Sequence, residues 1–257
     1  MNFIDTHTHL YLPDFDEDRE EVMERAREQK VTKMILPNID SESIEPLKAM
    51  VNQYPGTCYP LIGLHPTSVD KAYHNELHQI VKELENGNYL GIGEIGIDLY
   101  WDKTYIKEQA EAFEFQLRLA RETKLPAIIH ARNSFDEIFE VMDNIPSDGL
   151  IGIFHAFTGN LEQARKIIDM GFKLGIGGIV TFKNAGLDVV LKDIDLNHIV
   201  LETDSPYLAP VPKRGKRNES AYIPLIAEKI AGVLQVTINE VADMTTRNAF
   251  EIFNLSE

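Results

Sequence analysis

The chain has a single cysteine, Cys58. No internal disulfide can form, and a reducing, cytoplasmic setting is the simplest expectation. A lone cysteine beside an apolar run reads as packing rather than chemistry. Long apolar runs are missing too. None approaches the roughly 18 residues of a membrane span, and no basic stretch followed by an apolar one marks a secretory signal. No membrane association is expected. Basic residues are scarce: 25 Lys and Arg face 41 Asp and Glu, for a net charge of −16. That balance argues against non-specific binding to nucleic acid, which needs a basic surface. It leaves room for a small anionic group drawn to bound cations. The glycine-rich turn that opens a doubly wound nucleotide-binding sheet is absent after the first strand.

What is present is an alternation. Short apolar runs, at Phe3–Asp5, Lys33–Leu36, Tyr59–Leu64, Leu90–Gly93, Ala127–Ile129, Ile151–Phe154, Lys173–Ile176 and Ile199–Glu202, read as strands. Runs such as "LIGIF" and "PAII" are apolar throughout, as strands covered on both faces should be. Amphipathic stretches lie between them. In the clearest, Thr104 to Thr123, Ile106, Ala110, Phe113, Leu117 and Ala120 share one helical face, with Thr104 as the expected N-cap. A first helix is expected at about Asp16 to Lys30, and two closing helices over Ala221–Leu234 and Ile238–Phe253. Eight strands alternating with helices in 257 residues predict an α/β fold, the (β/α)8 TIM barrel, as one domain over 1–257.

The polar residues that close these runs carry the chemistry. Strand one ends at His7 and His9, strand four at Glu94, strand five at His130, strand six at His155 and strand eight at Asp204. Barrel enzymes build their active sites at the C-terminal ends of the strands. Residues i and i+2 of a strand point to one side, so His7 and His9 can chelate one ion. A lone His-x-His pair is weak evidence. Four imidazoles and two carboxylates on five strand ends are not, and they predict a metal site. Six donors exceed what one catalytic zinc takes from protein, so two divalent ions sharing a carboxylate fit better.

Together "DTHTHL", "GEIGID", "IHAR", "HAFTG" and "LETDSPYL" resemble, over essentially the whole chain, the TatD family of metal-dependent hydrolases within the amidohydrolase-like barrels. The resemblance implies that His7, His9 and Asp204 hold one ion, that His130 and His155 hold the second, and that Glu94 bridges them. It also implies divalent-metal-dependent nuclease activity, often at the 3′ ends of DNA, with RNA a further substrate. Two departures, Ala156 where the family often has Cys and Ile97 where it has Leu, remove no expected ligand.

The expected reaction is phosphodiester hydrolysis by a metal-activated water, with Asp204 as general base and Glu94 at the reaction centre. Expected substrate contacts are His65, which closes strand three, and Arg132, whose guanidinium can fork onto a phosphate. Lys213 and Arg214 join them, from the basic run "PKRGKRN" after strand eight, where this fold often binds phosphate. Asp98 can orient a ligand or cap a loop, Tyr100 and Trp101 can stack a base or pack a loop, and Asp5 stays unassigned. His74, His78 and His198 receive no role. Histidine-rich ligation suits Zn2+, Mn2+ or Ni2+, while Mg2+ prefers oxygen and water; the sequence names none of them. DNA or RNA ends are the expected partners, and the oligomeric state is not legible. The competing reading is amide or ester hydrolysis, for example on aminoacyl-tRNA, because the same water can attack a carbonyl. A binding protein that merely keeps the barrel is disfavoured by the intact donor set.

Overall fold

The computed structural model describes residues 1–146 and 148–255. Eight parallel strands alternate with helices: β1 (Phe3–Asp5), α1 (Arg19–Glu28), β2 (Val31–Leu36), α2 (Ile44–Gln53), β3 (Cys58–Pro60), α3 (Tyr73–Asn86), β4 (Ile92–Asp98), α4 (Ile106–Thr123), β5 (Ala127–Arg132), α5 (Phe135–Asp143), β6 (Gly152–Phe154), α6 (Leu161–Asp169), β7 (Phe172–Ile176), α7 (Leu187–Leu191), β8 (Ile199–Leu201), α8 (Ile223–Leu234) and α9 (Ile238–Phe253). Ladders run β1-β2-β3 and β4 through β8. Two bridges, Ile62 with Ile92 and Thr8 with Ser205, join these arcs into a closed (β/α)8 barrel.

The core has two parts. The larger lies between strands and helices. A second cluster joins Ile4, Ile35, Leu61, Ile128, Ile153 and Val200, from strands or strand margins all around the barrel. Residues spread around a closed ring can meet only across its axis, so these fill the interior. Ala249, Ile252 and Phe253 of α9 pack against them. Thr246 of the same helix bonds the Asn2 carbonyl, and Asn248 bonds the carbonyls of Leu196 and Ile199. α9 therefore stoppers the end where the strands begin, and the opposite end is left open for a site. Among the described residues no single helix is long and apolar enough to cross a membrane.

Several local expectations change. α1 starts at Arg19 rather than Asp16, because Pro13–Phe15 form a separate 3-10 turn. Thr104 does not cap α4; its N–H and hydroxyl both donate to Asp102. The buried face of α4 includes Gln109 and Gln116, while Ile106 is exposed. Both amides have backbone partners there: Gln109 accepts from the N–H of Asp98, and Gln116 both accepts from and donates to the backbone of Leu64. Ile151 is exposed and lies just outside β6. Cys58 is buried, which pushes its thiol up to about 12 and makes it unreactive.

The seam between β1 and β8 is stapled by polar groups. Thr6 N–H donates to the Leu201 carbonyl, Asp204 N–H to that of His7, and His9 N–H to that of Ser205. Asp5, fully buried, accepts from the N–H groups of His7 and Thr203 and from the Thr203 hydroxyl at 2.6 Å. This gives Asp5 a structural role. Asp5→Ala leaves three buried donors without their acceptor and should cost about 3 kcal/mol in urea unfolding of the metal-free protein. A loss below about 0.5 kcal/mol would show that the staple is dispensable.

Candidate metal centre

The six strand-end residues converge at the open end of the barrel. Glu94, in β4, is the hub. Its Oε2 lies 3.0 Å from His7 Nε2 and 3.6 Å from His9 Nε2. Its Oε1 lies 2.7 Å from His155 Nε2 and 2.8 Å from His130 Nδ1. Asp204 Oδ1 stands 3.7 Å from His9 Nε2 and 3.8 Å from His7 Nε2. The carboxylate thus has one oxygen toward each half of the cluster. Asn38 fixes it from outside, exchanging backbone hydrogen bonds with Gly93 and Glu94. Asp204 occupies the left-handed backbone region, at φ 55°, as the chain turns out of β8.

Hydrogen bonds on the outer side decide which nitrogens face inward as lone pairs. The Tyr11 hydroxyl donates to the Pro37 carbonyl at 2.7 Å, so toward His9 Nδ1, 3.1 Å away, it can only accept. His9 therefore carries its proton on Nδ1 and aims a bare Nε2 into the cluster, 3.3 Å from His7 Nε2. His130 donates from Nε2 to Asp98 Oδ2 at 2.8 Å and turns Nδ1 inward. Asp98 is itself held by the N–H groups of Tyr100 and Trp101, so it both orients the His130 ring and caps the loop.

The charge states suit a cation. Burial lowers His7 to about 4 and His9 to about 3, and it lowers His155 as well. Burial works to raise Glu94, but the imidazoles of His155, His65 and His7 hold it well below the ordinary carboxyl range. Burial, then the charge of Glu94, pushes Asp204 well above its ordinary value. Burial also opposes charge on His130, yet hydrogen bonds to Asp98 and Glu94 raise it to about 9. The neutral imidazoles of His7, His9 and His155, facing crowded carboxylates, are donors suited to a divalent ion, while His130 keeps its second proton until a cation takes that place beside Glu94. Three donor groups each have their atoms within 4.8 Å: His7, His9 and Glu94; His7, His155 and Asp204; His65, Glu94 and His130.

His65 differs from the others. Its Nδ1 accepts the Thr67 N–H at 3.1 Å, so the proton sits on Nε2, which lies 3.2 Å from Glu94 Oε1. A protonated Nε2 is a hydrogen-bond donor rather than a metal ligand. Arg132 lines the same cavity of about 810 Å3 as the cluster. Its guanidinium carbon is 3.8 Å from the centre of the Tyr100 ring and 5.4 Å from that of Trp101. Tyr100, Trp101 and Tyr207 are more than half exposed at the rim.

Lys213 and Arg214 are not brought to this cavity. Lys213 lies over Tyr222 and Arg214 over Phe182. In the same run Arg217 pairs with Asp18 at 2.7 Å and donates to the Asp14 carbonyl, tying the loop to the start of α1. The sequence reading missed Asn38, Tyr11 and Glu202. Glu202, buried beside His155, had a signal: a second acid inside the apolar run that ends at Asp204.

A family model, TatD-related DNase, matches residues 4–254. The chain belongs to this family. It is 38% identical over 253 residues to the uncharacterized metal-dependent hydrolase YabD of Bacillus subtilis, covering 98% of this chain and 99% of that one. It is 30% identical over 259 residues to the uncharacterized metal-dependent hydrolase YjjV of Escherichia coli, covering 98% of each. The crystal structure of YjjV, a TatD homologue, superposes with a TM-score of 0.91 over 99% of this chain and 98% of that one, at 28% identity. The chain is a metal-dependent hydrolase of the TatD family.

A divalent ion held at 100 times its Kd adds about 2.7 kcal/mol, roughly 5–10 °C of melting temperature for a chain this size. Zn2+ or Mn2+ should raise the melting temperature by that amount in scanning calorimetry, and chelator should reverse it. No shift with Zn2+, Mn2+, Ni2+ or Mg2+ would contradict the centre.

Proposed function

We propose that the chain hydrolyses phosphodiester bonds at the ends of DNA, working 3′ to 5′ on single or frayed strands and extending to RNA, in the cytoplasm. The observation that carries this reading is the split hub: a buried carboxylate with one oxygen toward each of two imidazole pairs, under a cavity whose wall adds an arginine and a histidine donor. His7, His9 and Asp204 would hold one ion and His130 and His155 a second, with Glu94 shared. When bound, such ions lower the pKa of a coordinated water toward neutrality and offset phosphoryl charge.

The protein's own groups supply the rest. The protonated Nε2 of His65 is free to donate to a phosphoryl oxygen once it leaves Glu94. Arg132, stacked on Tyr100, offers a planar fork to the same group or to the next phosphate. Asp204 lies at the cavity edge, with its side chain 15% exposed, and takes the proton of the attacking water. The faces of Tyr100, Trp101 and Tyr207 give unpaired bases a surface to stack on. A duplex, whose bases are already stacked and paired, cannot use that surface until its end opens. The donors for phosphate favour this reading over attack at a carbonyl. Lys213 and Arg214, away from the cavity, remain available only to nucleotides further along the strand.

The test is the metal-loaded protein on 5′-labelled single-stranded DNA, RNA, blunt duplex and an aminoacyl ester. A chelator-sensitive ladder shortening from the 3′ end, faster on single strands than on blunt duplex, is expected. Ester cleavage with intact oligonucleotides would overturn the proposal. Asp204→Asn should leave the fold intact by circular dichroism and lower kcat by about 100-fold or more. Turnover within threefold of wild type would remove Asp204 from the mechanism.

A further inference from the structure

His155 presents Nε2 to the cluster, 2.7 Å from Glu94 Oε1 and 3.1 Å from His130 Nδ1. To offer that nitrogen as a lone pair it must carry its proton on Nδ1. Nδ1 is buried and has no hydrogen-bond partner among the described residues. The group that faces it is Glu202, whose Oε1 lies 3.7 Å away. Glu202 follows β8 directly and is fully buried. Its Oε1 accepts the Ala156 N–H, and its Oε2 has no partner among the described residues.

The surroundings reserve space for this carboxyl. A Cβ on Gly175, in β7, would sit 2.1 Å from Glu202 Oε2, 2.8 Å from its Cδ and 3.0 Å from His155 Cα. Any larger residue there would displace the acid or the β6 end that carries His155. Ala156 holds φ 45°, a left-handed conformation uncommon outside glycine, and its N–H bonds Glu202. The end of β6, Gly175 and Glu202 therefore form one packed unit behind the imidazole. His9 and His130 each already have such an outer partner, in Tyr11 and Asp98.

We infer that Glu202 is the positioning residue of His155: its Oε1 accepts the Nδ1 proton and so turns Nε2 inward as a metal-facing lone pair. This rests on the metal reading of the site. Outer partners of metal-bound histidines are worth about 10- to 100-fold in metal affinity. Metal-free wild type, Glu202→Ala and Glu202→Gln, each full length, are titrated with Zn2+ by calorimetry. Wild type is expected to take two equivalents. Glu202→Ala should weaken one of them by about 10- to 100-fold and leave the other near wild type, while Glu202→Gln, which keeps an acceptor oxygen, should restore most of the loss.

A fall in melting temperature with both affinities unchanged would make Glu202 merely structural and overturn the inference. Wild type that binds no Zn2+ would overturn the metal reading itself. Should Glu202→Ala fail to fold, imidazole 15N–1H spectra of Zn2+-loaded wild type decide. A His155 Nδ1 proton shifted downfield, as a carboxylate acceptor makes it, supports the assignment; an Nδ1 proton at the shift of an unbonded N–H refutes it, and a proton on Nε2 would instead overturn the metal reading.

Discussion

Glu94 is a carboxylate with 2% exposure, sunk among imidazoles at the open end of a closed barrel. An isolated charge in such a place costs several kcal/mol even after the protein relaxes around it. The imidazoles around it answer that cost, while the nearby Asp204 carboxyl adds to it. The imidazole nitrogens at the ends of β1, β5 and β6 approach its two oxygens, with His65 near one of them. Asn38 pins its backbone. The barrel must close for these groups to meet, because His7 and His9 come from the first strand and Asp204 from the last. The Asp5–Thr203 staple and the bridge between Thr8 and Ser205 hold that closure at the level of the cluster.

The chemical character of His9, His130 and His65 follows from what each touches on its far side. Tyr11 leaves His9 with an inward lone pair, and Asp98 turns His130 so that Nδ1 rather than Nε2 faces Glu94. Thr67 does the reverse to His65 and leaves a proton pointing inward. Side chains that look equivalent as strand-end histidines are thereby sorted into inward lone pairs, which the proposal gives to metal ions, and an inward N–H, which it gives to phosphate. In the proposed function Tyr11, Asp98 and Thr67 count as much as the inward nitrogens, because they set which nitrogen carries the proton.

The barrel and the six convergent residues were legible in the sequence because both depend on pattern. Apolar runs of strand length repeat, and a histidine or acid ends an apolar run visibly. What was not legible depends on contacts made across the fold. Gln109 and Gln116 break the apolar stripe of α4, and only the backbones of Asp98 and Leu64 explain why amides are buried there. Asp5 sits in the same phrase as His7, but its partner Thr203 lies at the other end of the chain. The basic run after β8 looked like a phosphate contact by position. Its loop instead spends Arg217 on Asp18 and lays Lys213 and Arg214 over aromatic rings away from the cavity. Position along the chain predicted the correct end of the barrel, and side-chain direction could not be read from it.

The central claim is that one buried carboxylate is shared by two cations. Anomalous diffraction from crystals grown with Mn2+, recorded on both sides of the manganese edge, addresses it directly. The account predicts two peaks, one bonded to each Glu94 oxygen, with His7, His9 and Asp204 around one and His130 and His155 around the other. A single peak, or two peaks neither of which touches Glu94, would contradict it.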